Sequence, residues 1–360
     1  MALYVDIEKR YGDFCLRVCF EMQREMFAIL GASGCGKSLT LKCIAGIEKP
    51  DTGVIKLDGE VLFDAAKKIN VPTRKRNIGY LFQDYALFPH MTVFQNILCG
   101  AKDKKRAQEY VGRFFLEGKE ALYPAQLSGG QKQRVALARM LAQNPRFVMF
   151  DEPFSALDNY LKTQLEREVM NVMETFENGG IFVSHDRNEV YRLTDRVAVM
   201  ENGSIVDIQS KHGLFDAPKT LAATLLTGCK NITRLDKRGD GYYALDWGMM
   251  LSVPAAVNVS EDLDFADVSA KAFRYAGVRA HFLELVSENE RDADNVIACE
   301  ILRVIEDTFS FVVLFTNRTV KEKTGYAVMT FELAKEDWRR IAGKPLYLRI
   351  PRDKVILMEK

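Results

Sequence analysis

Gly31-Ala32-Ser33-Gly34-Cys35-Gly36-Lys37-Ser38 fits the spacing G-x-x-x-x-G-K-[ST], and the chemistry open to such a loop is the binding of phosphate. Gly31, Gly34 and Gly36 carry no Cβ to stop the backbone from curling around an anion. The N–H groups at the start of the following helix then point at that anion with the helix dipole behind them. Ser33, Cys35 and Leu39 belong to the same phosphate-binding set. Lys37 adds a mobile positive charge for β- and γ-phosphates, and the Ser38 hydroxyl can ligate Mg²⁺. Cys35 lies at a helix N-terminus two residues from Lys37, and both features favour its thiolate, the alternative being a small filler at a position with no chemical demand. A second pair of groups is Asp151-Glu152, directly after the apolar run Phe147-Val148-Met149-Phe150. Asp151 is placed to hold Mg²⁺ through water opposite Ser38, and Glu152 to polarise an attacking water.

These groups need elements to position them. Met26-Phe27-Ala28-Ile29-Leu30 reads as a buried parallel strand, and Lys37 to Ala45 as a helix stopped by Gly46, so the loop joins a strand to a helix. Residues 3 to 8 and 14 to 20 read as strands turning at Tyr11-Gly12-Asp13, where Tyr11 could stack on a purine. Residues 54 to 63 form a hairpin with Asp58-Gly59 at its turn, and residues 78 to 82 a strand ending at Gln83. From Asp84 to about Asn144 the periods are helical, with Lys102-Asp103-Lys104-Lys105-Arg106 as a solvated helix start. After Asp151-Glu152-Pro153 the apolar positions Leu161, Leu165, Val169, Val172, Met173 and Phe176 mark one helix face. Gly180 to Ser184 is a strand ending at His185-Asp186, and residues 196 to 200 and 204 to 208 pair around Asn202-Gly203. Strands alternating with helices predict an α/β fold with a mostly parallel sheet and its ligand loops at the carboxyl edge. Ser38, Gln83, Asp151 and His185 could converge there.

Composition narrows the class. Lys+Arg 50 against Asp+Glu 49 gives a net charge of +1, without the basic excess of a nucleic-acid binder. No window supplies the roughly 18 uninterrupted apolar residues of a membrane span, and the N-terminus alternates like a strand rather than a signal peptide. A cytoplasmic protein is expected, brought to a membrane only by a partner. The 7 cysteines are scattered without a C-x-x-C pair, as in a reducing compartment. The histidines have no ligand-like spacing, so no protein-ligated metal site is expected beyond Mg²⁺ carried by a nucleotide. The length of 360 residues points to two domains. After about Cys229 the chain turns to short alternating runs, a β-rich region compatible with one or two small barrels.

The phosphate loop, Gln83, Leu127-Ser128-Gly129-Gly130-Gln131, Asp151-Glu152, Ser155-Ala156-Leu157-Asp158 and His185 together resemble the ATP-binding cassette (ABC) family in type and order, over residues 1 to 228. The resemblance implies a P-loop NTPase cassette with an antiparallel β subdomain and a helical subdomain at about 84 to 144. ATP and Mg²⁺ would be used by a head-to-tail homodimer, each ATP lying between the phosphate loop of one subunit and the Ser128-Gly129-Gly130-Gln131 helix start of the other. A helix N-terminus suits a γ-phosphate. By resemblance, Glu152 is the catalytic base, His185 senses the γ-phosphate, Asp158 couples the two sites, and Gln83 links Mg²⁺ to the helical subdomain.

Within the family, residues 84 to 93 resemble importer subunits that receive integral-membrane permease subunits. The implied place is the cytoplasmic face of the membrane, served indirectly by an extracytoplasmic substrate-binding protein. Residues 226 to 232, 246 to 248 and 277 to 281 resemble the accessory (TOBE/Mop-like) β domain of molybdate, tungstate or related oxyanion importers, so residues 229 to 360 are expected to form it. A barrel pair of that kind could hold a tetrahedral anion through backbone N–H groups and hydroxyls. A sugar, polyamine or iron importer subunit is the alternative. A soluble cassette acting on DNA or ribosomes would bring a long coiled coil or two cassettes, and this chain has one phosphate loop and no sustained heptads.

Overall fold

The computed structural model describes residues 3–154, 162–163, 166–167, 169–171, 179–239, 241–253, 273–323 and 325–359. They divide into two compact units, Met1–His212 and Gly213–Lys360.

The first unit is built on an 11-stranded mixed sheet. Its order is Ile69–Asn70, Glu60–Asp64, Thr52–Leu57, Leu3–Tyr11, Phe14–Met22, Ser204–Ser210, Arg196–Glu201, Met26–Leu30, Gly180–Ser184, Phe147–Asp151 and Ile78–Leu81. From Arg196–Glu201 to Ile78–Leu81 neighbouring strands run parallel, whereas the hairpins predicted at Tyr11-Gly12-Asp13, Asp58-Gly59 and Asn202-Gly203 are antiparallel. The sequence explains the difference. Phe147–Asp151 and Gly180–Ser184 are buried at every position, as strands covered on both faces must be. Phe14–Met22 alternates buried and exposed from Leu16 onward, the signature of one wet face. Parallel strands finish on the same side, so Leu30, Leu81, Asp151 and Ser184 end at one edge of the sheet.

Three helices, Val93–Gly100, Lys104–Arg113 and Gly129–Ala142, pack into one core with this edge of the sheet, joining Val93, Ile97, Val111, Phe114, Val135 and Leu141 to Phe150 and Phe182. Each begins on a side chain that accepts a free N–H: Thr92, Asp103 and Ser128. In the basic stretch at 102 to 106, Asp103 supplies that cap, and Arg106 Nε donates to the Ala142 carbonyl at 2.7 Å. The run is therefore more than a solvated face, because one of its cations anchors the end of the neighbouring helix.

The second unit holds two 5-stranded antiparallel sheets, with Asn231–Arg238 and Tyr275–Val278 in one and Val296–Glu306 and Ser310–Asn317 in the other. They share a core that includes Trp247, Val278, Ile297, Phe315 and Leu348. Asn231 is fully buried and exchanges two hydrogen bonds with the Thr330 backbone, at 2.6 and 2.9 Å. Residues 213 to 228 read in the sequence as the tail of the cassette, yet they pack with this unit. Arg279 donates to the carbonyls of Thr227 and Phe215 and so holds the short helices Lys211–Asp216 and Leu221–Leu226.

Candidate functional site

The phosphate loop leaves the buried strand Met26–Leu30 and enters the helix Lys37–Ala45. Gly36 precedes that helix at φ 110° with no side-chain cap, so the first helical N–H groups are left for an incoming acceptor. A side chain at Gly36 would be strained in this conformation and would also meet Leu16 at 2.8 Å. At Gly31 a Cβ would lie 2.5 Å from the Met200 carbonyl. Lys37 is buried, and its Nζ donates to the carbonyls of Gly31 at 2.8 Å and Ala32 at 2.9 Å. The ammonium is thereby folded over the loop. Ser33 and Gly34 are exposed on it, and Leu39 packs inward against the core.

Asp151 ends the central strand Phe147–Asp151 and is 3% exposed. Ser38 Oγ donates to its Oδ1 at 2.7 Å, and the Tyr80 hydroxyl donates to its Oδ2 at 2.8 Å. Burial, reinforced by the Asp151 charge, pushes the Tyr80 phenol upward, so it stays a donor at physiological pH. Mg²⁺ prefers oxygen ligands and is held in nucleotide sites by one or two protein oxygens together with phosphate and water. Ser38 Oγ and Asp151 Oδ1 are such a pair. Among the described residues there is no group of three His, Cys, Asp or Glu side chains that could hold a metal ion.

Glu152 follows with φ 47°, a left-handed turn that a glutamate adopts at some cost. Its N–H donates to the Val183 carbonyl at 3.0 Å. The turn aims the carboxylate at three groups from three other segments. His185 Nδ1 lies 3.3 Å from Oε2, Gln83 Nε2 donates to the same oxygen at 3.4 Å, and Lys37 Nζ is 3.8 Å from Oε1. The structure thus brings together Lys37, Ser38, Gln83, Asp151, Glu152 and His185, and the parallel register does it: Asp151 pairs with Val183 and Leu30 with Ser184.

Other expected residues stand apart from this cluster. Tyr11 is 67% exposed at the tip of its hairpin, free to meet a planar ring. Ser128 and Gln131 form a reciprocal capping box, Ser128 Oγ accepting from Gln131 N at 3.3 Å and Gln131 Oε1 accepting from Ser128 N at 3.0 Å. With Gly129 and Gly130 they form a helix start whose side chains are occupied locally. Asp158 lies outside the described residues, as do Ser155, Ala156 and Leu157.

Of the two readings of Cys35, the structure favours the small filler. Cys35 is buried, and desolvation outweighs the attraction of the Lys37 charge and raises its thiol above the ordinary range. It is a packed thiol rather than a reactive thiolate. Two residues escaped the sequence reading. Tyr80 looked like part of an apolar strand, and only its register beside Met149 brings its hydroxyl to Asp151. Arg76 is fully buried and donates to the carbonyls of Cys43, Ile44 and Val71 and to Asn70 Oδ1. Burial pulls it down to about 10. It closes the C-terminal end of the phosphate-loop helix, where a cation complements the exposed carbonyls.

Comparison with known proteins agrees with this geometry. Residues 18–155 match the family model described as ABC transporter. A sulfate/thiosulfate import ATP-binding protein of Burkholderia mallei is 33% identical over 354 residues, 94% of this chain and 93% of the relative. An Fe(3+) ions import ATP-binding protein of Haemophilus influenzae is 40% identical over 223 residues, so the match spans 59% of this chain and 62% of that relative. A spermidine/putrescine import ATP-binding protein of Thermotoga maritima is 37% identical over 254 residues, 67% of each chain. Among solved structures, a dimeric ATP-binding cassette in a post-hydrolysis state bound to ADP and Pi covers 59% of this chain, with TM-score 0.51 and 27% identity.

Proposed function

The chain belongs to the ATP-binding cassette transporter family, and from that premise we propose that it is the ATP-hydrolysing subunit of an importer for a tetrahedral oxyanion. Sulfate, molybdate and tungstate are the candidate cargoes. The observation that carries the hydrolytic part is the meeting of Gln83, His185 and Lys37 on the Glu152 carboxylate, beside the Ser38–Asp151 pair. What supports an oxyanion is the length of the match. Similarity to the Burkholderia sulfate/thiosulfate relatives runs over 94% of this chain and so takes in the second unit, whereas a Synechocystis sulfate/thiosulfate relative and the iron relative both match over 59%. A chain related to the former along its second unit as well inherits more than a motor. The identity to iron and polyamine relatives within the cassette sustains the second reading, an iron or polyamine importer subunit.

In this reading the bound triphosphate lies on the N–H groups at the start of Lys37–Ala45. Gly31, Ser33, Gly34, Cys35, Gly36 and Leu39 shape the cradle, and Tyr11 stacks on the base. Lys37 already sits over the loop and needs only to exchange carbonyl contacts for phosphate oxygens. Mg²⁺, held by Ser38 and Asp151 with Gln83 nearby, would neutralise phosphate charge when bound with the nucleotide. Glu152 orients the attacking water and accepts its proton. His185 and Gln83 both approach Oε2, which fixes the carboxylate plane and leaves Oε1 on the side of Lys37. His185, with its side chain 54% exposed, is free to touch the γ-phosphate with its other nitrogen. The second half of each site is supplied by a second copy through Ser128, Gly129, Gly130 and Gln131, and Asp158 couples the two. No helix among the described residues is long and apolar enough to cross a membrane. In the proposed reading the cargo path belongs to separate permease subunits, at whose cytoplasmic face this chain docks, with an extracytoplasmic binding protein delivering the anion.

The test is ATP-driven uptake by the full chain assembled with its permease in vesicles, comparing sulfate, molybdate and tungstate with Fe³⁺ and spermidine, and with Glu152→Gln as control. Uptake of Fe³⁺ or spermidine instead of the anions selects the second reading. ATP hydrolysis without uptake of any of them removes the import role.

A further inference from the structure

We propose that Lys162 is a positioning residue that holds His185 against Glu152 by locking both of the histidine's chain neighbours. Its Nζ lies 2.5 Å from Asp186 Oδ2 and 2.6 Å from Glu189 Oε1. Glu189 is 3% exposed, and its other oxygen accepts from Ser184 Oγ at 2.5 Å. Ser184 Oγ in turn accepts from the Asp186 N–H at 2.9 Å. These bonds close a ring through Lys162, Glu189, Ser184 and Asp186. His185 sits between two of its members. The histidine side chain is half exposed, so little packing of its own holds it, and the ring supplies the restraint through the backbone on either side.

The charges show why the ring depends on Lys162. Two carboxylates converge on one ammonium, one of them buried, and a buried carboxylate left without its cation is costly enough for the segment to rearrange. Hydrogen bonds to Asp186 and Glu189 keep the ammonium charged although burial opposes it. Four residues further along the sequence, Glu166 binds Arg192 through two contacts, at 2.8 and 3.0 Å. The same stretch thus grips Arg187–Leu193 twice, yet the Glu166–Arg192 pair touches neither neighbour of His185. Lys162 also stands four residues after Asp158 in the sequence. It therefore ties the stretch that follows the proposed dimer-coupling residue to the histidine that meets the catalytic carboxylate.

The inference rests on the reading of Glu152 and His185 as hydrolytic residues, and a double-mutant cycle separates the two. Full-length wild type, Lys162→Met, Lys162→Arg, His185→Ala and the Lys162→Met/His185→Ala double variant are compared for kcat, KM for ATP and melting temperature. Glu166→Gln serves as a control for the other ion pair, the one to Arg192. Lys162→Met should lower kcat about tenfold or more while KM moves less than about threefold, as expected when alignment rather than binding is lost. Lys162→Arg should recover most of the activity, and Glu166→Gln should lower the melting temperature without that fall in kcat. In the His185→Ala background Lys162→Met should cost nothing further. Additive losses, or an equal kcat loss in Glu166→Gln, would overturn the positioning role. A His185→Ala variant with wild-type turnover would instead overturn the hydrolytic reading itself. Should Lys162→Met not fold, Glu189→Gln puts the same question, because the amide can keep the Ser184 bond while giving up the charge that Lys162 holds.

Discussion

Tyr80 and Asp151 are joined by a 2.8 Å hydrogen bond from the phenol to the carboxylate oxygen that Ser38 does not use. In the proposed reading the bond fixes which face of Asp151 would be offered to Mg²⁺. Tyr80→Phe keeps the ring and its contact with Phe82 and removes only the donor. The expected outcome is a folded protein that needs several-fold more Mg²⁺ to bind nucleotide, since a lost hydrogen bond to a charged group costs about 1.5 to 3 kcal/mol, part of which water can restore. Calorimetric titration of ATP at stepped Mg²⁺ concentrations reads this directly. An unchanged Mg²⁺ midpoint would leave the Tyr80 hydroxyl a structural bond only.

Glu152→Gln removes the proton acceptor while preserving shape. Steady-state turnover should fall by about 10² to 10⁴, the range for a general base, with ATP binding kept and an ATP-bound dimer accumulating. Gel filtration with ATP and a phosphate-release assay test the two halves. Turnover close to wild type would move the base elsewhere.

Lys37→Ala should act on binding instead. Its Nζ is the one cation bonded to the loop carbonyls of Gly31 and Ala32 among the described residues, and without it nucleotide affinity should drop more than about tenfold, by analogy with other charge-assisted phosphate contacts. Fluorescent-nucleotide titration decides. Equal affinity in the variant would mean that the backbone N–H groups carry the phosphate alone.

Thiol chemistry should follow burial. Cys19 and Cys99 are exposed, whereas Cys35 is buried with its thiol raised. A maleimide at pH 7 should label the two exposed cysteines first and leave ATP hydrolysis intact, and Cys35→Ala should keep near wild-type activity. Mass-spectrometric mapping showing rapid Cys35 labelling, with activity lost in step and protected by ATP, would restore the reactive-thiolate reading.

In the second unit the Asp246 carboxylate receives the Arg234 guanidinium at 2.6 Å and the Arg234 N–H at 2.8 Å. Burial opposes its charge, yet these bonds prevail and hold its pKa below the ordinary 3.8. A carboxyl depressed in the folded state adds stability above its unfolded pKa and loses it as pH falls through the folded one. Asp246→Asn should therefore lower the melting temperature by a few degrees at pH 7, and the gap should begin to narrow below about pH 4, where the unfolded chain takes up the proton first, and close once the folded carboxyl is protonated too. A gap that stays constant into acid would assign the effect to lost hydrogen-bond geometry rather than charge.

The phosphate loop and the two acids were legible in the amino-acid sequence because their function constrains local backbone: Gly36 must turn left-handed, and an apolar run must deliver Asp151 to a strand end. The same local logic set the hairpin turns, the Ser128 cap and the β-rich second region, since periodicity and turn chemistry act over a few residues. What only the tertiary structure decided is which distant groups share an atom. Tyr80 reaches Asp151, and His185 and Gln83 meet on one oxygen of Glu152, because parallel strands far apart in sequence stand in one register, and register has no local signature. Arg76 under the phosphate-loop helix and Lys162 beside Asp186 and Glu189 carry no local signal that sets them apart from other cations of the chain. Their placement follows from carbonyls and carboxylates that other segments bring to them, and the raised Cys35 thiol follows from desolvation, which depends on what the rest of the chain packs around it.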